Sequence, residues 1–176
     1  PLDRWLCWGR LSLNKRLDRL IALVAQARAA GRTIDLLICG DDFHGLAPDL
    51  RRRIAEAGLE SQITLSPGLG EAELAAEIRG RGVFVTASEY EGFGLTVIEA
   101  MAAGLIVACR DIAPLNEFVA GGETGIHFAF DDSPGDLAAV IGLLDLSPDG
   151  AEALRRQSQT VVARNAWSTR ADACLA

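Results

Sequence analysis

Short apolar stretches alternate along the chain with longer segments whose apolar residues recur at helical spacing. The first pattern predicts buried β-strands, and the second predicts amphipathic helices. The strands are predicted over residues 6–8, 34–39, 62–65, 83–86, 105–109 and 125–128. The helices are predicted over residues 14–30, 49–57, 71–79, 95–103, 114–119, 136–144 and 151–163, with a further helix after Trp167.

The helix predicted over residues 14–30 has the best-defined ends. Its apolar residues between Leu17 and Val24 fall on one face at helical spacing. Asn14 is a residue type that caps helix amino termini, and Gly31 is a common stop signal. We therefore expect one continuous helix directly after the first strand.

The predicted strands are apolar at consecutive positions rather than at alternate ones. Such strands are typical of a parallel sheet that helices cover on both faces. The repeated strand–helix order indicates an α/β fold with a doubly wound, Rossmann-like parallel sheet, formed by residues 1–176 as a single domain. In such sheets ligands bind at the carboxyl ends of the strands, so we expect the functional residues in the loops that follow the strands.

Composition narrows the range of partners. The 176 residues carry a formal net charge of −7, and because general nucleic-acid binding needs a basic face, we expect no nucleic-acid partner. No apolar run predicts a transmembrane helix, and the amino-terminal residues show no signal-peptide pattern. The cysteines are dispersed, which favours small buried hydrophobic residues in a reducing cytoplasm. With 2 histidines and 4 dispersed cysteines we expect no metal and no cofactor, and the acidic pairs at 41–42 and 131–132 are more typical of turns.

Glu99 is the one charged side chain of a long apolar segment that begins at Gly92. In the loop before the predicted helix, Gly92 and Gly94 flank Phe93, which permits a sharp turn and leaves amides exposed at the positive end of the helix. Glu91 stands beside this opening. Amides at a helix start suit a diphosphate, and carboxylates accept hydrogen bonds from sugar and ribose hydroxyls, so the segment predicts a nucleotide-sugar site. The loop lacks the third glycine of the dinucleotide fingerprint, which disfavours NAD.

The order of the motifs resembles family 4 of the retaining glycosyltransferases, which have the two-domain GT-B architecture. The central match is the Glu-x7-Glu motif from Glu91 to Glu99, which continues as Ala-Met-Ala-Ala-Gly. The family's other elements follow in the same order: Gly-Arg…Lys within 8–16, a strand and glycine turn at 37–41, Pro-x-x-Glu at 114–117 and Gly-x-x-x-Gly at 121–125.

The resemblance implies a role for each matching residue. Glu91 contacts the transferred sugar, and Glu99 holds the ribose hydroxyls. Arg10 and Lys15 pair with the diphosphate, whose growing negative charge they would stabilise as it departs, so these two and Glu91 are the expected catalytic residues. The other implied donor-binding residues lie in loops: Phe93, Gly94 and Leu95 at the diphosphate, Gly9 after the first strand, and Gly40, Ser66 and Pro67 beside the base.

Ordinary structural roles remain open for several of these residues. The alternatives for Glu99 are an ion pair with a distant arginine or a place at the edge of the apolar helix face. Tyr90 is equally compatible with core packing. Arg10 and Lys15 are alternatively a solvated pair on a loop.

As a whole, the resemblance implies the carboxyl-terminal donor-binding domain of a retaining glycosyltransferase, with the amino-terminal acceptor domain absent from this chain. The wording of the motifs is similar to bacterial mannosyltransferases of exopolysaccharide synthesis. This favours GDP-mannose ahead of UDP-sugars, a glycan or polyprenol-linked oligosaccharide as acceptor, and a cytoplasmic location at the inner face of the membrane through peripheral association. The alternatives are a nucleotide-sugar epimerase of the same architecture, a non-catalytic nucleotide-binding domain and a dinucleotide-dependent oxidoreductase.

Overall fold

The computed structural model describes residues 1–66 and 68–165, which form one sheet and the helices packed on it. The strands are β1 (Arg4–Trp8), β2 (Asp35–Cys39), β3 (Ile63–Ser66), β4 (Val83–Thr86), β5 (Ile106–Cys109) and β6 (Ile126–His127). The helices are α1 (Leu17–Ala29), α2 (Ala47–Glu56), α3 (Glu71–Arg79), α4 (Leu95–Ala102), α5 (Pro134–Leu144) and α6 (Pro148–Asn165). Short 3-10 turns lie at Leu13–Lys15 and Leu115–Glu117, the second in place of the helix predicted over 114–119. The helix predicted after Trp167 lies outside the described residues.

The strands are all parallel and follow the order β3-β2-β1-β4-β5-β6. This confirms the predicted doubly wound, Rossmann-like sheet. The order reverses between β1 and β4, which are neighbours in the sheet although two strands separate them in sequence. The loops that follow β1 and β4 therefore lie side by side at the switch point, where doubly wound sheets bind ligands.

Both faces of the sheet are buried, which explains the continuous apolar strands. In β1, Trp5 and Cys7 pack into the core layer that holds α1, whereas Leu6 and Trp8 pack into the opposite layer with α4. The strand cysteines Cys7, Cys39 and Cys109 are buried free thiols, as predicted. Cys174 lies outside the described residues. No helix in the described ranges combines the length and the hydropathy needed to cross a bilayer.

The chain between β1 and α1 differs from the continuous helix predicted from Asn14. Asn14 lies in the 3-10 turn, and Arg16 adopts a left-handed φ of 45° before α1 begins at Leu17. Asn14 was predicted to cap the helix, and that prediction was wrong. Its side-chain amide instead donates to the carbonyl of Tyr90, 3.2 Å away in the neighbouring loop. Its side-chain oxygen Oδ1, the acceptor that a helix cap would need, is taken by the hydroxyl of Ser12 at 2.7 Å.

Candidate functional site

An open cleft of about 380 Å³ lies at the carboxyl ends of β1 and β4. Two separate parts of the sequence line it, the loop after β1 and the loop that leads into α4. The structure therefore brings together most of the predicted site residues: Gly9, Arg10, Lys15, Glu91, Phe93, Gly94 and Leu95.

A second cavity of about 300 Å³ adjoins the cleft and shares Gly9 and Arg10 with it. Gly40 lines this second cavity, which also has the apolar side chains of Trp8 and Leu74. Ser66 is the last residue of β3 and lines neither cavity, so its predicted place beside the base has no geometric support. Pro67 lies outside the described residues.

Lys15 and Glu91 form an ion pair in the cleft. The Lys15 ammonium lies 2.6 Å from Oε1 of Glu91, and their side chains are only 15% and 14% exposed. The hydroxyl of Ser88 donates to the same Oε1 over 2.7 Å. The solvated-pair alternative is therefore wrong for Lys15, because a loop carboxylate holds it in a largely enclosed position.

Further contacts tie the two loops together around this ion pair. The carbonyl oxygen of Asn14 accepts the amide hydrogen of Glu89 over 2.8 Å. The Arg16 guanidinium contacts the carboxylates of Asp18 and Glu89. Hydrogen bonding to Asp18, with a further contribution from Glu89, raises the pKa of Arg16 above its already high ordinary value. Three consecutive residues after β1 thus contact three consecutive residues after β4, which fixes the shape of the cleft.

Arg10 differs from Lys15 because it is exposed and lines both cavities. Within the described ranges, no carboxylate forms an ion pair with Arg10. Its guanidinium carries five donors in a planar fork that matches phosphate oxygens. The cleft therefore contains a cation that is available to an incoming anion.

The start of α4 supplies backbone donors to the same cleft. Gly94 precedes the helix with a φ of 84°, and a Cβ on it would lie 2.6 Å from the Leu115 side chain, so both the backbone conformation and the packing favour glycine. Leu95 and Thr96 form the first turn and line the cleft. First-turn amides have no carbonyl one turn earlier to accept them, and the helix dipole is positive there. The turn depends on Gly94 more than on Gly92, since Gly92 has a non-positive φ and open space around it.

Glu99 lies on α4, on the same face as Thr96, and is exposed. Its Oε2 accepts a long hydrogen bond of 3.4 Å from the indole N–H of Trp8, which lines the second cavity. No ion pair within the described residues involves Glu99, so none of the arginines in residues 1–66 and 68–165 is its distant partner. Because Glu99 is exposed, it is not a buried lone carboxylate that needs a partner. Its position fits the edge of the apolar face of α4.

The structure decides between the two roles that the sequence left open for Tyr90. Tyr90 is 69% exposed and lines the cleft, so the core-packing alternative is wrong.

The acidic pairs at 41–42 and 131–132 make local contacts. Asp42 accepts the amide hydrogens of Ala47 and Leu46 at the start of α2, and these hydrogen bonds lower its pKa. Asp132 forms an ion pair with Arg19. Among residues 1–66 and 68–165 no His, Cys, Asp and Glu side chains cluster to hold a metal. Metal-free chemistry stays a prediction.

Sequence reasoning missed Thr86 and Ser88, whose buried hydroxyls stand behind Glu91. It also missed the joining role of Asn14. The available signal was the pair of hydroxyl residues at the end of an otherwise apolar strand, because buried polar groups require hydrogen-bonding partners.

Comparisons with known proteins agree on one family. The model of glycosyl transferases group 1 matches residues 4–161. A GDP-mannose:cellobiosyl-diphosphopolyprenol alpha-mannosyltransferase from Komagataeibacter xylinus is 33% identical over 168 residues, which cover 92% of this chain and 41% of that protein. This chain spans less than half the length of that relative, and likewise 44% of the similar enzyme from Xanthomonas campestris.

Solved structures share the same fold. The pneumococcal O-GlcNAc transferase GtfA, in complex with UDP and GlcNAc, has a TM-score of 0.76 at 25% identity over 92% of this chain and 32% of that one. The C-terminal domain of a glycosyl transferase group 1 family protein (LpcC) from Francisella tularensis has a TM-score of 0.76 at 20% identity. That match covers 92% of this chain and 85% of the Francisella chain.

Proposed function

Since this chain belongs to the glycosyl transferases group 1 family, we propose that its cleft holds a nucleotide-sugar donor and that the whole protein is a retaining glycosyltransferase. The observation that carries the proposal is the convergence of unlike groups on one cleft. Arg10, Lys15 and the start of α4 supply positive charge and donors, and Glu91 supplies a carboxylate. A diphosphate joined to a sugar needs both kinds of group side by side.

The positive groups act on the leaving nucleoside diphosphate. As its bond to the sugar breaks, negative charge grows on the phosphate oxygens, and preformed donors stabilise that charge more than they stabilise the ground state. Each charge-assisted hydrogen bond contributes about 1.5–3 kcal/mol. Lys15 takes part while it remains paired with Glu91, because an ammonium group has three donors.

Glu91 acts on the sugar. Its carboxylate lines the cleft within reach of a ligand that rests on the α4 amides, and carboxylates accept hydrogen bonds from sugar hydroxyls. We propose that the acceptor attacks the face that the leaving group vacates and that the leaving phosphate takes the acceptor's proton. A trapped covalent glycosyl–Glu91 adduct contradicts this mechanism.

The second cavity suits the nucleoside part of the donor. Trp8 and Leu74 offer apolar surface for a base, and Gly40 lines the same cavity. Glu99 is the proposed acceptor of hydrogen bonds from the ribose hydroxyls; its side chain contacts Trp8, which lines this cavity, although Glu99 itself lines neither cavity. In this arrangement Arg10, which lines both cavities, lies at the diphosphate between sugar and nucleoside.

GDP-mannose is the proposed donor, and a glycan or polyprenol-linked oligosaccharide is the proposed acceptor. The support is the relative from Komagataeibacter xylinus, which is named for both substrates and is 33% identical. A UDP-sugar is the second candidate, because GtfA was solved with UDP and GlcNAc. A polyprenol-linked acceptor resides in a membrane, so we propose peripheral association of the whole protein with the inner face of the cytoplasmic membrane.

Calorimetry of this chain against GDP, UDP, GDP-mannose and UDP-glucose tests the proposal. We expect GDP and GDP-mannose to bind with equal stoichiometry, and binding to persist in EDTA because the cleft supplies its own positive groups. Preferential binding of UDP compounds replaces the donor assignment but leaves the donor site. Binding of NADH with none of the four nucleotides rejects the proposed function.

A further inference from the structure

Two buried hydroxyl groups follow one another at the end of β4, behind the cleft. Thr86 is 2% exposed and Ser88 is 0% exposed, although the neighbouring side chains of the strand are apolar. Their oxygens lie 2.9 Å apart, and the Ser88 oxygen lies 2.7 Å from Oε1 of Glu91. These hydroxyls therefore form a buried chain that ends at the carboxylate of the cleft.

The chemistry of hydroxyl groups gives this chain a direction. A carboxylate accepts hydrogen bonds and a hydroxyl has one O–H group to donate, so Ser88 donates its hydrogen bond to Glu91. Ser88 can then only accept from Thr86, and Thr86 is the donor of the pair. Each hydroxyl is thereby satisfied without water, which is what burial requires.

Both protein donors to Glu91 converge on a single oxygen. Ser88 and the Lys15 ammonium, 2.6 Å away, donate to Oε1. Within the described part of the chain, no donor is paired with Oε2. Two donors from different elements fix the plane of the carboxylate more narrowly than one donor can, and they leave Oε2 for a ligand in the cleft that Glu91 lines.

We propose that Ser88, backed by Thr86, is a positioning residue that holds Glu91 with Oε2 directed at the hydroxyls of the transferred sugar. The inference rests on the proposed function of the cleft and deepens it. Lys15 neutralises the carboxylate, and Ser88 orients it. Without Ser88 the carboxylate keeps its charge partner but can turn about its side-chain bonds, and its hydrogen bond to the sugar weakens.

The test is a double-mutant cycle in the whole protein, with Ser88→Ala, Glu91→Gln and the combined variant. Steady-state transfer rates at varied donor concentration give kcat/KM, and calorimetry gives the affinity for the free nucleoside diphosphate. We expect Ser88→Ala to lower kcat/KM about tenfold, the effect of one charge-assisted hydrogen bond. Affinity for the nucleoside diphosphate, which lacks the sugar, stays unchanged. In the Glu91→Gln background, Ser88→Ala adds no further loss, because the two residues act as one unit.

Ser158→Ala is the matched control. Ser158 is equally buried, at 2% exposed, but its hydroxyl donates to the carbonyl of Arg155 in α6. We expect this variant to leave kcat/KM unchanged. Thr86→Val keeps the Ser88–Glu91 bond and removes its support, so it gives a loss smaller than that of Ser88→Ala.

The outcomes separate the inference from the function beneath it. Equal losses for Ser88→Ala in both backgrounds, or a parallel loss of nucleoside diphosphate affinity, identify a purely structural serine and overturn the positioning role. An undiminished rate for Ser88→Ala beside a strongly reduced one for Glu91→Gln also overturns it and leaves the proposed function intact. If Glu91→Gln itself transfers at the normal rate, the proposed sugar contact fails and the inference fails with it.

Discussion

The Lys15 ammonium lies 2.6 Å from Oε1 of Glu91, although the two residues are 76 positions apart in sequence. Lys15 follows β1 and Glu91 follows β4, and these strands are adjacent and parallel. The pair therefore depends on the order of the strands rather than on a local motif. It places a cation and a carboxylate at the carboxyl ends of β1 and β4, the two central strands between which the strand order reverses.

Replacement of Lys15 by methionine tests the energetics of this pair. We expect Lys15→Met to lower the free energy of unfolding by about 1–3 kcal/mol, because a largely enclosed carboxylate loses its charge partner. Adding Glu91→Gln recovers most of the loss, since the remaining side chain is neutral. Urea unfolding measures the free energy of unfolding of the unmodified protein, of Lys15→Met and of the double variant. Arg52→Met is the control, because Arg52 pairs with Asp49 and Glu56 in solvent, and no resolvable change is expected.

Arg10 is expected to bind the ligand without stabilising the fold. Arg10→Ala weakens binding of a nucleoside diphosphate about tenfold, because one charge-assisted interaction is lost, and leaves urea unfolding unchanged. The difference in affinity between Arg10→Ala and the unmodified protein shrinks as salt is added, since the Arg10 cation is exposed. Calorimetry at two salt concentrations measures both effects. Arg51→Ala, which removes an exposed arginine of α2 outside the cleft, binds normally, and equal weakening in both variants indicates a general charge effect.

Gly40 is predicted to be irreplaceable for steric reasons. Its φ is +141°, and a Cβ would lie 1.8 Å from the carbonyl oxygen of Gly9 in the neighbouring loop. We expect Gly40→Ala to cost more than about 3 kcal/mol in urea unfolding, from strain and overlap together. Gly31→Ala is the matched control. Gly31 has a φ of +75°, and a Cβ added to it would meet nothing within 4 Å. Only the left-handed backbone conformation then destabilises the alanine variant, by about 1–2 kcal/mol.

Because of its buried strand cysteines, we expect the protein to lose folding stability at alkaline pH. Burial raises the pKa of Cys7 and of Cys109 to about 12, from an ordinary value of 9.0. Above about pH 9 the unfolded chain releases these protons while the folded chain keeps them, so the free energy of unfolding falls as pH rises from about 9 towards 12. Urea unfolding across this range measures the fall. Cys109→Ala should show a shallower slope, and an identical slope in both proteins contradicts the prediction.

The sequence predicted most elements correctly because their signals are local. Val83–Thr86 and Glu71–Arg79 have the predicted bounds, since apolar period and glycine stops act between near neighbours. The segment after β1 was predicted wrongly for the opposite reason. Asn14 has the local properties of a helix cap, but its amide bonds to Tyr90 in another loop, and Arg16 turns left-handed before α1.

The amino-acid sequence alone determined the α/β class, the parallel sheet and the Glu-x7-Glu segment, because each of these depends on the spacing of residue types along the chain. Only the tertiary structure decided that Lys15 pairs with Glu91, that Ser88 supports it and that Glu99 stands exposed beside Trp8. These contacts join residues from different elements, and the elements meet only once burial of both sheet faces has fixed the strand order.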